Sequence, residues 1–344
     1  MFPLLQLPPS CIQNVADQWK TVELYEFSLL SKRAKEISKK KKTHNLILHV
    51  DFYYRLLSFS EDGEFGSNMK FEKNRFIDGG NRIPLIDTDI ILFVQAIQNF
   101  LDITNCQLDE FRLYLKPPWT VDQLIMTIDW LNEMKNEFDR VSIDTETWEM
   151  FEIFLNRFRK NIHTLLLYGE DIEWDGTVKQ KLNFEVKDLS SLIDCPWFHL
   201  DFLFTMELES ISADNIGMSA QDLNVFLRSW QEGKTNRNLE MADFVKRTEI
   251  DVKEVVKGCG GVLMDPRTSK VMFNHKVAGR IWMRGGIHIR RNDGRLAVVD
   301  TNGFDYWMDD DDVTEEDVNR YLKNLEIWNS DDVWMGTLLY FYVI

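Results

Sequence analysis

Cysteine is scarce, with four in 344 residues, at positions 11, 106, 195 and 259. Such wide separations exclude a CxxC zinc knuckle and a disulfide framework, and they suit a reducing compartment. No run of about twenty apolar residues occurs, which excludes a membrane-spanning helix of the usual kind, and no lipidation signal is present. The opening MFPLLQLPPSCIQNV is apolar, but it lacks a basic n-region and a small-residue cleavage site, and Pro3, Pro8 and Pro9 break its apolar run. It is therefore expected to stay in the mature protein rather than act as a secretory leader. Positive charge is also in short supply. A formal net charge of -16 argues against a general nucleic-acid binder, which needs a basic surface to release counterions from phosphate.

The motifs of catalysis are missing too. KGCGGVL (257–263) has the glycines of a phosphate loop but no following Gly-Lys-Ser/Thr, so it reads as a turn. The six histidines, His44, His49, His163, His199, His275 and His288, show no HExxH or other ligand spacing, and the acidic run 309–312 lacks the glycine and terminal glutamate of an EF-hand. No nucleophile elbow, kinase signature or dinucleotide fingerprint occurs. No catalytic, cofactor-binding or metal-ligating residue is assigned, and the expected protein is a binding protein of the cytoplasm or nucleus, with no membrane and no nucleic-acid partner.

What the chain does have is a sizeable apolar fraction, 44%. Its composition divides it into three zones. Residues 2–42 are apolar at helical spacing and end in SKRAKEISKKKK; residues 43–303 hold most strand and helix signals; residues 304–344 run from an acidic stretch to the aromatic VWMGTLLYFYVI. The basic run 39–42 reads as a solvated helix end or, less simply, an import signal.

In the middle zone strand-like runs alternate with amphipathic helices, the pattern of parallel strands joined by crossovers. FRLYL (111–115) precedes a helix opened by Thr120 to Gln123, with Leu124, Ile128 and Leu131 on one face. RVSID (140–144) follows, then a helix striped by Phe151, Phe154, Leu155 and Phe158, then IHTLLLYG (162–169). KLNFEV is read as a strand, 191–204 as a helix, 206–211 as a strand, SAQDLNVFLRSW as a helix and NLEMADF as a strand. Hairpins with turns at Asp62-Gly63 and at Asn292-Asp293-Gly294 frame the zone. The expected fold class is α/β: a short all-helical module followed by a leucine-rich-repeat-like α/β stack with flanking hairpins. A doubly wound sheet gives the same alternation and stays open as an alternative, with any enzymatic site then lying beyond the carboxyl ends of its strands. Arg112, Tyr114, Asp144 and Glu146 fall near strand ends.

About forty residues rarely fold alone without disulfides or metals, so the first zone either docks on a partner or packs on the rest of the chain. The order FPLLQLP, Ile12, Val15, TVELYEFSLLSKRAKEI resembles an F-box. The resemblance is strongest to the nematode group that also carries a type 2 F-box-associated domain, and it continues through CPWFHLDFLFTMELESISADNIGMSAQDLNVFLRSWQEGKTNRNLEMADF, where Asn224, Phe226, Leu227 and Trp230 match the family's helix pattern, to GGIHIRRNDGRLAVV. One departure stands out: NVADQWKT is less apolar than the family's usual first helix. The resemblance implies three parts: an F-box over 2–42, an F-box-associated α/β domain over 43–303 that holds a target, and a carboxyl-terminal extension over 304–344. It implies docking on a Skp-family adaptor, and through it a cullin scaffold, by Leu7, Pro8, Ile12, Val15, Leu24, Phe27, Leu30 and Ile37. The function implied is the non-catalytic substrate-recognition subunit of a Skp-cullin-F-box ubiquitin ligase acting on an unnamed protein; a protein-interaction module with a degenerate F-box is the other binding reading.

Overall fold

A computed structural model describes residues 6–41, 46–61, 64–72, 75–78, 90–115, 117, 119–169, 182–196, 198–275, 279–301 and 312–344. The chain forms two compact units, residues 1–162 and 163–344. Its architecture is mixed α/β, with short helices preceding the sheet strands, as the hydrophobic patterning indicates.

Unit 1 opens with α1 (Pro9–Ala16), α2 (Thr21–Ser28) and α3 (Lys32–Ser38), followed by β1 (Leu46–Asp51), β2 (Leu56–Glu61), β3 (Glu64–Glu72) and β4 (Arg75–Asp78). Then come α4 (Ile90–Thr104), β5 (Leu108–Leu115), α5 (Val121–Glu133), β6 (Phe138–Thr145) and α6 (Trp148–Arg157). Its strands lie in the order β4-β3-β2-β1-β5-β6. The first four pair antiparallel, and β1, β5 and β6 pair parallel through helical crossovers. The expected hairpin is β2–β3; its turn residues Asp62 and Gly63 lie outside the described residues.

The helical periodicity of α5 and α6 translates directly into burial: Leu124, Ile128, Leu131, Phe151, Phe154, Leu155 and Phe158 are all buried. Thr120 caps α5, accepting from the Gln123 amide at 3.3 Å, while the Gln123 side chain accepts from the Thr120 amide at 3.1 Å. This reciprocal pair satisfies two donors that an open helix end leaves orphaned. Between α4 and the sheet lies an aromatic core in which Phe52, Phe71 and Phe76 surround Phe93 and Phe100 packs on Phe76, with Phe52 and Phe93 edge-on at 5.7 Å. The Arg55 guanidinium is buried in this core against Phe93 and Trp119, and desolvation lowers its pKa to about 10.

Unit 2 contains β7 (Ile162–Gly169), β8 (Val186–Asp194), α7 (Leu200–Phe204), β9 (Ser210–Asp214), α8 (Ala220–Gln231), β10 (Met241–Asp251) and α9 (Val252–Val255). It continues with β11 (Val262–Leu263), β12 (Lys270–His275), β13 (Gly279–Arg284), β14 (Ile287–Arg290), β15 (Leu296–Asp300), α10 (Glu315–Trp328) and β16 (Met335–Val343). The strand order is β11-β14-β15-β16-β10-β9-β8-β7, with β12 and β13 forming a separate two-stranded ribbon. Strands β8, β9 and β10 are parallel neighbours in chain order, the arrangement of a stack. The second framing hairpin is β14–β15, closed by the Gly294 amide donating to Arg291 O at 2.9 Å, with Gly294 at φ +95.

Two sequence expectations fail here. Residues 191–194, expected to open a helix over 191–204, belong to strand β8, so helix is confined to Leu200–Phe204, and of the expected strand KLNFEV only Val186 lies in β8, with Lys181 outside the described residues. The reason is polar burial: Leu189, Ser191 and Ile193 alternate inward, and Ser191 is hidden because its hydroxyl donates to Ile193 O at 3.0 Å and accepts from the Cys195 thiol at 2.9 Å. Likewise β9 runs from Ser210 to Asp214 and shares only 210–211 with the expected strand 206–211, since Leu208 is held in a loop where its amide donates to Asn236 Oδ1 at 3.2 Å.

The aromatic close of the chain is also placed by the fold. Strand β16 lies between β15 and β10 and pairs antiparallel with both, with Leu339, Phe341, Tyr342 and Val343 buried. Beside it, on β10, the half-buried Asp243 accepts from the Tyr342 hydroxyl, while its Oδ1 is buried without a hydrogen-bond partner. Desolvation pushes its carboxyl up to about 6. A pKa raised in the fold favours the protonated form, so the ionised group lowers stability progressively as pH climbs from about 4 through about 6. Asp243→Asn is expected to stabilise the protein by on the order of 1–2 kcal/mol at about pH 7 and by little near pH 4. Urea unfolding of both proteins across that range checks the sign, which a gain constant with pH would contradict.

Candidate docking surface

The three amino-terminal helices build a small core of their own. Ile12 and Ala16 on α1, Leu24 and Phe27 on α2, and Ala34 and Ile37 on α3 are buried together, with Leu7 and Trp19 packed at the margin. The i,i+3 and i,i+4 spacings place each pair on one helix face. Trp19 meets Phe27 edge-on at 4.7 Å. Pro9 occupies the first turn of α1, where its missing N–H costs no intrahelical bond. Ser31 caps α3 by accepting from the Ala34 amide at 3.1 Å, and the Ser38 hydroxyl is satisfied by Leu24 O and Ala34 O. The less apolar stretch NVADQWKT thus keeps its core function through Ala16 and Trp19.

The other face of α2 is buried as well. Thr21, Val22 and Tyr25 are covered, and the Tyr25 ring lies 5.9 Å from Phe76 and 5.4 Å from Phe100. Burial raises the Tyr25 phenol pKa. At the rim, Lys35 and Lys39 both reach the Asp102 carboxylate of α4, at 3.2 and 3.0 Å, and hold its pKa down, the Lys39 hydrogen bond contributing most. Within the basic run Lys39 therefore braces the module to α4, and the Lys41 ammonium donates to Trp19 O inside the module.

The eight residues that the F-box resemblance points to divide into two sets. Ile12, Leu24, Phe27 and Ile37 are buried in the module's own core, and Leu7 packs partly against it. Pro8, Val15 and Leu30 face outward, Leu30 with 69% of its surface exposed. Leu29, half exposed beside Leu30, belongs with them and was not singled out from the sequence. The available signal was its position: two consecutive leucines at the end of α2 cannot both turn inward. Arg33, in the first turn of α3, donates to Leu7 O at 3.1 Å, which ties the Leu7-Pro8 entry to the end of the module where the Leu29-Leu30 turn leads into α3. Exposed leucines and a proline at one end of a capped helical module make a surface suited to docking.

Unit 2 repeats the logic of internal pinning. On α8, Phe226, Leu227 and Trp230 are fully buried, Phe226 against Phe244 and Phe341, and Trp230 edge-on to Phe341 at 4.8 Å. Asn224 donates to Val255 O at 2.9 Å and Lys257 O at 2.8 Å, and Gln231 donates to Cys259 O and Arg290 O. The helix therefore fastens the 255–259 turn and the β14–β15 hairpin to the sheet. Residues 178–244 match the family model described as F-box associated. The chain carries an F-box-associated segment. Its Asn-x-Phe-Leu-x-x-Trp pattern is structural, three core anchors and one amide clamp. No curated protein and no solved structure matches the chain.

Three of the four strand-end residues, Arg112, Tyr114 and Asp144, come together in unit 1. The Arg112 guanidinium lies 4.6 Å from the Tyr114 ring centroid and 3.3 Å from Asp144 Oδ2, and Tyr53 stacks on Tyr114 at 4.3 Å. Asp51, the register partner of Arg112, accepts from the Tyr53 and Tyr54 amides; its carboxyl is raised, chiefly by burial. Glu146 sits past the strand, its amide 3.5 Å from Leu115 O. The thiols of the cysteines inside the fold are poor nucleophiles: burial pushes Cys106 and Cys259 up to about 11 and Cys195 to about 12. Gly258 and Gly260 adopt positive φ, as a plain turn in KGCGGVL requires. Among the described residues no group of three or more metal-ligating side chains occurs, and no helix is long and apolar enough to cross a membrane.

Proposed function

We propose that the chain is the substrate-recognition subunit of a Skp-cullin-F-box ubiquitin ligase, with residues 2–42 docking on a Skp-family adaptor and residues 43–303 presenting a target protein. The observation that carries this reading is the F-box-associated match at 178–244 in a chain that begins with a three-helix module exposing Val15, Leu29 and Leu30. Catalysis then belongs to the assembled ligase, and the chain contributes proximity, which raises the effective concentration of a target lysine without any chemistry from its own side chains.

Of the eight positions, Pro8, Val15 and Leu30, joined by Leu29, are assigned to the adaptor, and the buried four, with Leu7 at their margin, to holding the module in shape. Leu30→Asp is expected to weaken capture by a Skp-family adaptor by about tenfold or more, since an anchor at such an interface is worth about 2 kcal/mol. Its thermal unfolding should match the parent because the side chain is exposed. Titration calorimetry with the purified adaptor measures the first and differential scanning fluorimetry the second; an intact chain that binds no adaptor at micromolar concentration ends the ligase reading.

A further inference from the structure

A cavity of about 390 Å³ opens in unit 2 between α9, the turn over residues 257–261 and the end of α10. Val256 and Trp328 line it with apolar surface, and Gly258, Gly260 and Gly261 with bare backbone. The turn is clamped from α8: Asn224 donates to Lys257 O at 2.8 Å and Gln231 to Cys259 O at 2.9 Å. In a trans peptide the N–H points opposite to the C=O of the same plane, so the Gly258 and Gly260 amides point away from those clamps. The cavity lies on that side, since the glycines line it and Asn224 and Gln231 do not. Among the described residues neither amide meets an acceptor. Both glycines have positive φ, +74 and +64, and a Cβ on either would meet nothing within 4 Å, so they border open space.

We infer that this cavity captures the carboxyl terminus of a target protein, with the terminal carboxylate accepting from the Gly258 and Gly260 amides and the last side chain resting on Trp328 and Val256. Successive backbone N–H groups in a glycine turn make a concavity for an anion, and chain-terminal carboxylates are captured in this way. The charge available selects a single negative charge over phosphate. Both lysines at the cavity are engaged: the Lys253 ammonium donates to Ile327 O, Ser330 O and Asp332 O at the end of α10, and Lys257 pairs with Glu254 at 2.9 Å. No arginine lines the cavity to make the forked, doubly bonded contact that favours phosphate. Neutral donors beside an indole face suit a carboxylate attached to an apolar residue, and the volume is that of a small-ligand pocket. This inference rests on the reading of the chain as a target receptor and adds the part of the target that is recognised.

The test is retention of the fluorescently labelled full chain on beads that display peptides of about ten residues, fixed by their amino termini and randomised toward their free ends. One set ends in free carboxylates, a second in amides, and a third is amidated and carries phosphoserine. The amidated set keeps every aspartate and glutamate side chain, so a difference between the first two isolates the terminus. Retention about tenfold greater on free carboxylates is expected, against the repulsion that a chain of net charge -16 exerts on an anion. Trp328→Ala is expected to reduce that preference about tenfold by removing the apolar wall. Should it melt early, Gly260→Asp repeats the measurement: aspartate tolerates the left-handed backbone and sets a negative charge beside the donors. Equal retention on the first two sets, a preference unchanged in the folded variants, or greater retention on phosphoserine overturns the inference. Adaptor capture on the same samples separates the two readings: adaptor captured without a carboxylate preference removes this inference alone, and the preference without adaptor capture removes the ligase assignment alone.

Discussion

Leu24→Asp will unfold the amino-terminal helices rather than merely block a partner. Leu24 has no exposed surface and lies in the core of Ile12, Ala16, Phe27, Ala34 and Ile37. Truncating such a leucine costs about 2–5 kcal/mol through lost burial and the cavity left behind. An aspartate adds the desolvation of a charge with no cation inside that core, and a module of about forty residues has little stability to absorb it. Hydrogen exchange should show amides of α1–α3 losing protection, and adaptor capture should fail with them. Set beside Leu30→Asp, which is expected to lose capture while keeping its melting curve, the pair distinguishes docking from folding; if Leu24→Asp kept native protection, the placement of Leu24 in the core would be wrong.

Trp230→Ala is expected to cost unit 2 about 3–5 kcal/mol. The indole is fully buried between α8 and the sheet, edge-on to Phe341, with the Arg291 guanidinium 5.6 Å from its ring centroid. Its Nε1–H is buried without an acceptor, which removes part of the benefit of having a tryptophan there. Trp230→Phe therefore keeps most of the packing while deleting the orphaned donor, and should cost about 1 kcal/mol or less. Urea denaturation of the two variants tests the difference, and equal large losses in both would show that the indole nitrogen is satisfied after all.

Legibility of the fold followed the range of the interactions that make it. Helices α5 and α6 and strand β7 were readable because period 3.6 or continuous apolarity is printed in about ten consecutive residues. Strand β8 was not, because Ser191 takes an inward position by hydrogen bonding to Ile193 and Cys195, so its hydrophobic alternation is interrupted. The seat of β16 between β10 and β15 depends on pairing with residues some forty to one hundred positions away, which no local pattern records. In the docking module the apolar positions were legible and their directions only partly: Ile12, Leu24, Phe27 and Ile37 turn inward, and Leu29 and Leu30 outward, because the short link from α2 to α3 leaves them no helix face to share.

The double burial of α2 bears on portability. Tyr25 packs on Phe76 of β4 and Phe100 of α4, Thr21 and Val22 are buried on the same helix, and the Lys35 and Lys39 ammonium groups are anchored on Asp102. Cut out at residue 42 and fused to a reporter, the three helices would carry a bare Tyr25 ring and two released lysines. Transplanting them as a tag calls for taking α4 along, so the smallest transferable unit is set by a packing boundary rather than by the end of the recognisable motif.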